Sequence, residues 1–185
     1  MLIAGARPNF MKIAPLWRAL QNTHLADNVC IVHTGQHYDR NMSQVFFEQF
    51  ELPEPHYNLG VGSGTHAAQT AAVMTRFEEL VTHQPPDMIV VVGDVNSTIA
   101  TALVAAKRGI RVAHVEAGLR SFDRSMPEEI NRILTDRISD LLFASEPSGV
   151  KNLENEGADM NGVHLVGRSM IDMLAHAMLK IDAAN

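Results

Sequence analysis

Cysteine is all but missing. The one thiol, Cys30, lies inside the apolar run VCIV, so no disulfide can form within the chain. A lone thiol among apolar neighbours reads as an inert core residue and suits a reducing compartment such as the cytoplasm. Long hydrophobic runs are missing too: none approaches the ~18 residues that a membrane span needs. The opening MLIAGARP has no basic lead-in and no long apolar stretch, so no targeting signal is expected. Positive charge is in the minority, with 15 Lys and Arg against 21 Asp and Glu and a formal net charge of −6. That balance excludes a surface built to neutralise nucleic-acid phosphates or anionic lipid. Any anionic ligand must be held by local positive groups. Metal signatures are lacking as well, with no HExxH, no CxxC and no Walker lysine loop. His33 and His37 are four apart, but a strand-to-turn junction separates them, so no metal pair and no metal is expected.

What is present is alternation. Apolar, β-branched runs are followed by helical patterns: LIAGA by FMKIAPLWRAL, VCIVHTG by NMSQVFFEQF, MIVVVGD by STIATALVAAKRG, RVAHVEAG by PEEINRILTDRISD, LLFAS by EPSGVKNLENEG, and VHLVG by SMIDMLAHAML. Repeated strand-then-helix units predict an α/β fold, a doubly wound parallel sheet covered on both faces. In such sheets ligands sit beyond the carboxyl ends of the strands. Lys107, Arg108 and Gly109 close the helix IATALVAAKRG with cations and a glycine, as a helix C-terminus prefers. Ile130, Ile133, Leu134, Ile138 and Leu141 form a helical stripe that is expected to face the sheet. The first strand is short and the last unit stops soon after it starts, so truncation at both ends is expected.

Chemistry concentrates at the strand ends. MIVVVGD runs into Gly93 and Asp94, and RVAHVEAG into Glu116, Ala117 and Gly118. If the two strands are neighbours, about 5 Å apart, both acids look into one crevice. Asp94 can equally serve as a helix cap, alongside Asn96 and Ser97. Glu116 is a poorer cap, and a glutamate just inside a buried strand end is costly unless paired or used. Glu128 and Glu129 follow Pro127 in a helix's first turn, where acids are ordinary, and Glu128 stands four before Arg132. The loop to Glu128 starts at the end of the Glu116 strand and can return over the same crevice. Pro8 keeps Arg7 out of the α region at the first strand-to-helix turn, with Lys12 about one turn on; the two are an exposed basic pair or a phosphate and sugar site. Gln36 and His37 follow the second strand on the same side. The loop GVGSGTHAAQT is glycine-rich but does not read GxGxxG after a strand, so a dinucleotide fingerprint is absent. His114, inside its strand, reads as a hydrogen-bonded core histidine.

Taken together, GARPNFMKIAPL, HTGQHYDRNMSQVFF, VVVGDVNSTIATALVAAKRGI, AHVEAGLRSFDRSMPEEINRILTD and VGRSMIDML resemble the non-hydrolysing UDP-N-acetylglucosamine 2-epimerases, in order and along essentially the whole chain. The resemblance implies the N-terminal, Rossmann-like half of a GT-B-type two-domain fold, with residues 1–168 as that domain and 169–185 as the start of the interdomain linker or second domain. It implies an isomerase that inverts C2 of UDP-N-acetylglucosamine to give UDP-N-acetylmannosamine, through elimination of UDP to a 2-acetamidoglucal and its re-addition, with no cofactor. Asp94, Glu116 and Glu128 are then the catalytic acid/base groups. Arg7 and Lys12 contact the nucleotide sugar with Gln36 and His37, and Arg120 and Arg132 orient Glu116 and Glu128 beside the substrate. Asp123, Arg124 and Glu129 remain surface or structural. Members are usually cytoplasmic homodimers that serve cell-surface polysaccharide biosynthesis, and part of the site comes from the C-terminal domain, so this chain alone is expected to be weakly active or inactive. Where members with a second, allosteric UDP-sugar site read QHR and then a polar residue, this chain reads QHYD. Three other readings stay open: a 2-epimerase of another UDP-2-acetamido sugar, such as a diacetamido uronate; a non-catalytic sugar-nucleotide-binding half that needs a second polypeptide; and a GT-B glycosyltransferase, which fits the fold but does not need the three carboxylates together.

Overall fold

A computed structural model describes residues 1–5, 7–35, 47–169, 171–174 and 178. The strands are β1 (Leu2–Ala4), β2 (Ile31–His33), β3 (Tyr57–Asn58), β4 (Met88–Val92), β5 (Arg111–Ala117), β6 (Leu141–Ala144) and β7 (Val163–Leu165). They lie in the order β3-β2-β1-β4-β5-β6-β7, each pair parallel. The helices are α1 (Arg7–Gln21), α2 (His66–His83), α3 (Asn96–Lys107), α4 (Pro127–Ile138) and α5 (Pro147–Asn155). The chain winds from β1 out to β3, then returns to the other side of β1 with β4. The β1/β4 seam is therefore the switch point, where the loops part and leave a crevice.

Strand residues alternate between two cores, as the pleat requires. Ile3, Val32, Ile89, Val91 and Val112 pack with Val73, Phe77 and Val81 of α2 and with the alanines of α3. Leu2, Ala4, Ile31, Val92 and Val115 pack on the opposite face with Phe10, Ile13 and Ala14 of α1. Phe10 and Phe77 are fully enclosed, each worth roughly 1.5–3 kcal/mol of burial. Phe77→Ala would remove the anchor of the first core at about 3–5 kcal/mol. Cys30 is partly buried, and burial pushes its thiol up and away from reactivity. No helix among the described residues is long and apolar enough to cross a membrane.

Two expectations need correction. The two-residue β3 was not anticipated in PHYNLG; it pairs with Val32 and His33 and caps one edge of the sheet. The stripe on α4 does not face the sheet: Ile130 is 42% and Leu134 49% exposed, while Glu129, Thr135 and Asp136 are buried. The helix is turned polar side in. Its buried acids find donors there, from the Ser121 and Phe122 backbone amides to Glu129 and from His114 and Gly118 to Asp136. Satisfied in this way, polar groups can occupy an interior that apolar ones would otherwise take. Only Ile138, at the far end, packs against the core.

Candidate active site

The site begins with backbone turns. β4 ends at Gly93 (φ 70) and β5 ends in a register shift between Val115 and Ala117, with Glu116 itself at φ 69. A left-handed glutamate in a strand is uncommon, and such outliers gather where a side chain must be re-aimed. Strict alternation would put Glu116 on the face of Val112 and His114. The bulge turns it instead towards α1, where its Oε2 lies 2.5 Å from Lys12 Nζ, both side chains mostly buried. The pairing answers the desolvation problem of a glutamate at a strand end.

Gly93 sits directly under this pair. A Cβ built on it would stand 3.3 Å from Lys12 Nζ and 3.7 Å from Glu116 Oε2, so glycine is what lets β4 end against the ion pair. Asn9, buried in the first turn of α1, stitches the seam by accepting from Gly5 N–H (3.2 Å) and donating to Val92 O (2.9 Å). Sequence reasoning overlooked Asn9; its position directly after Arg7 and Pro8 was the available signal.

Asp94 is the next residue. The N-cap of α3 is Val95, with no side-chain cap, so Asp94 is not used in capping. Its Oδ2 instead accepts from Arg132 Nη2 at 2.5 Å, and its carbonyl accepts from Asn131 Nδ2 at 2.9 Å. Arg132 also reaches Glu129 at 3.2 Å. Glu128, half-buried, shares the helix face of Asn131 and Arg132, at i+3 and i+4, and bonds to no described residue. α4 thus delivers Arg132 and Asn131 to Asp94 and carries Glu128 one turn earlier on the same helix face.

The expected roles of the arginines are corrected. Arg132 orients Asp94 and Glu129, not Glu128 or Glu116. Arg120 orients neither catalytic candidate: its guanidinium, 1% exposed, lies between Asp136 (Nη1 to Oδ2, 2.8 Å) and Glu156, to which it donates twice, at 2.8 and 2.6 Å. A bidentate partner and a buried carboxylate hold it more firmly than a distant glutamate can. Burial opposes the charge of Glu129, but the amides of Ser121 and Phe122 and nearby Arg132 outweigh it and hold its carboxyl below the usual range. Arg7 opens α1, but its side chain, like Gln36, His37, Tyr38 and Asp39, lies outside what the structure describes.

Among the described residues no group of three or more His, Cys, Asp or Glu is placed to hold a metal ion. A cavity of about 570 Å³ lies between α4 and α5, lined by Ile133, Leu142, Leu153 and Asp140 among others; Asp94, Glu116 and Lys12 do not border it.

Fold and site together define a class, a Rossmann-like α/β protein whose switch point presents alternating acids and bases. A family model described as UDP-N-acetylglucosamine 2-epimerase matches residues 18–185, and the chain belongs to that family. It is 49% identical over 183 residues to a UDP-N-acetylglucosamine 2-epimerase homolog of Methanococcus maripaludis, covering 99% of this chain and 50% of that one. It is 50% identical over 171 residues to the UDP-N-acetylglucosamine 2-epimerase of Methanocaldococcus jannaschii, covering 92% and 46%. The crystal structure of the latter enzyme in complex with UDP-GlcNAc and UDP superposes with a TM-score of 0.93 at 48% identity, over 100% of this chain and 50% of that one. The chain spans about half the length of the curated relatives it matches. A lipopolysaccharide outer core galactosyltransferase, WaaB, at 14% identity and a TM-score of 0.60, shares the fold alone.

Proposed function

We propose that this chain is the N-terminal, acid/base-bearing half of an enzyme that interconverts UDP-N-acetylglucosamine and UDP-N-acetylmannosamine at C2. Residues 1–168 form the domain and 169–185 lead towards the second half. The supporting observation is the convergence of Lys12, Glu116, Gly93, Asp94 and Arg132 at the β1/β4 seam, with Glu128 on the adjoining turn of α4.

The chemistry needs a base for the C2 proton and a way to release UDP. One carboxylate takes the proton from C2, the C1–O bond breaks, and UDP leaves with the bonding pair to give a 2-acetamidoglucal. Re-addition of UDP to C1 with protonation of C2 from the opposite face completes inversion, so acids on both sides of the sugar are required. In this reading Asp94, Glu116 and Glu128 move protons and stabilise the oxocarbenium-like charge. Lys12 is shared between Glu116 and the departing diphosphate, Arg7, Gln36 and His37 contact the nucleotide sugar, and Arg132 holds Asp94. The reaction takes place in the cytoplasm, in a homodimer, and feeds cell-surface polysaccharide synthesis; the rest of the site comes from a second domain or polypeptide.

The test is proton exchange. The protein expressed from its complete coding sequence, incubated with UDP-N-acetylglucosamine in deuterated water, is expected to place deuterium at C2 of both epimers. Transfer of the sugar with no deuterium at C2 would refute the reading. A second substrate is favoured by one relative: the UDP-2,3-diacetamido-2,3-dideoxy-D-glucuronate 2-epimerase of Pseudomonas aeruginosa is 45% identical over 166 residues. Comparing kcat/KM for the two donors decides between them.

A further inference from the structure

The acids of the crevice stand on a buried polar network for which the reaction itself has no use. His114 is fully buried on β5. Its Nε2 lies 2.8 Å from Gly93 O, and a carbonyl oxygen only accepts, so Nε2 carries a proton. Its Nδ1 lies 2.6 Å from Asp136 Oδ1. The other oxygen of Asp136 accepts from Gly118 N–H at 3.0 Å and from Arg120 at 2.8 Å, and Arg120 is in turn backed by Glu156. Burial opposes a charge on Asp136, but the bond and charge of His114, then those of Arg120, outweigh it and keep the carboxyl below its ordinary range. Arg120 and the Gly118 N–H can only donate to Asp136, so the carboxylate is the accepting partner on that side and Nδ1 is placed to donate from the other. Both ring nitrogens of His114 then face acceptors, sealed from water.

The two backbone groups this network grips are not arbitrary. Gly93 O belongs to the peptide that leads into Asp94. The Gly118 amide follows the bulge that carries Glu116. Gly93, Glu116 and Gly118 all have left-handed φ, at 70, 69 and 78, so the segments on either side must be held for the bend to persist. One carboxylate holds both: β5 directly, and β4 through the imidazole. A hydrophobic pair would often stabilise the fold as well as a buried ion pair does, and what the ion pair adds is direction.

We propose that Asp136 and His114 are positioning residues, a buried carboxylate–imidazole clamp that sets the backbone at Gly93 and Gly118 from which Asp94 and Glu116 project towards the sugar. The clamp is a property of this chain; its positioning role rests on the functional reading above.

Two measurements keep these apart. On the chain itself, without substrate, nitrogen NMR at neutral pH is expected to show both ring nitrogens of His114 protonated, and the Gly118 amide to exchange with solvent at least about tenfold faster in Asp136→Ala. A bare ring nitrogen on His114, or an unchanged Gly118 amide, overturns the clamp. In the protein expressed from the complete coding sequence, Asp136→Ala and His114→Phe are expected to lower kcat for C2 epimerisation about tenfold or more with KM within about twofold. Asp136→Asn still accepts from Gly118 and Arg120 and offers its amide to a neutral His114, so it is expected to recover most of that loss. Losses that merely track the folded fraction, or an Asp136→Asn no better than Asp136→Ala, overturn the positioning role. A wild-type protein with the NMR signature but no turnover of UDP-sugar sinks the functional reading and the positioning role with it, while the clamp stands.

Discussion

Replacing Gly118 by alanine tests the geometry on which the crevice is built. A Cβ on Gly118 would lie 2.3 Å from Gly149 O, 2.7 Å from Gly149 C and 2.9 Å from Gly149 Cα, all backbone atoms of the first turn of α5. None can swing aside as a side chain would. Gly118 also has φ +78, which costs alanine roughly 1–2 kcal/mol. Forcing α5 away adds an overpacking cost of about 1–3 kcal/mol. It also strains the bond from Asn152 Nδ2 to Gly118 O, now 2.9 Å. A total of about 2–5 kcal/mol, at roughly 2–4 °C per kcal/mol for a domain of this size, lowers the thermal midpoint by about 4–20 °C. Gly109→Ala is the control, since it shares the positive φ but meets nothing within 4 Å; it is expected to lose only the same backbone cost, about 1–2 kcal/mol. The assay is thermal unfolding followed by circular dichroism, with urea titration to check that the m-value is unchanged. Equal midpoints for the two alanine variants would refute the close approach of β5 and α5.

Asp94→Asn, Glu116→Gln and Glu128→Gln in the complete protein are each expected to lower kcat on the order of 10²-fold with the circular dichroism spectrum intact; near-wild-type rates in any two would mean the roles are misassigned. Ile130→Lys combined with Leu134→Glu is expected to change stability by less than about 1 kcal/mol, because both side chains already face solvent, and a larger loss by urea titration would contradict the outward stripe. Stability is expected to fall in acid through Asp136 and Glu129. Both carboxyls sit below their ordinary range in the folded state, so their contribution is complete above about pH 4–5 and drains away as pH falls towards their folded values. Asp136→Asn with Glu129→Gln is expected to flatten that acid limb, and an unchanged limb would show that neither carboxyl governs it.

The sheet was legible because each buried parallel strand is a short run of valines, isoleucines and alanines ending in a turn signal, as in MIVVVGD. That β4 and β5 are neighbours was left as a condition by the sequence and is met by the sheet, while the approach of Gly93 to Glu116 was not foreseen. The orientation of α4 was not legible, because periodicity reports which residues share a face, not which face is inside. Its apolar stripe, whose expected fifth member Leu141 in fact opens β6, outvoted the acids, and only partners distant in sequence, such as His114 and Gly118, reveal that Asp136 can be buried. For the same reason Arg120 was paired with the wrong carboxylates: Glu156 is 36 positions away, on a segment with no motif of its own. β3 is two residues long and offers no pattern at all. Glu116 was read as needing a partner, but the bulge that swings it onto Lys12 has no signature in VEAG beyond the glycine.

Because α4 is seated by oriented acids and amides rather than by oily area, its detachment should absorb little extra heat per degree, since the heat capacity of unfolding tracks exposed hydrocarbon. Chilling, which weakens apolar contacts, then loosens the packing around Phe10 and Phe77 before it loosens this helix. In the cold the chain would keep the lip of its crevice in place while its middle softens, the reverse of the usual order in which a protein comes apart from its rim.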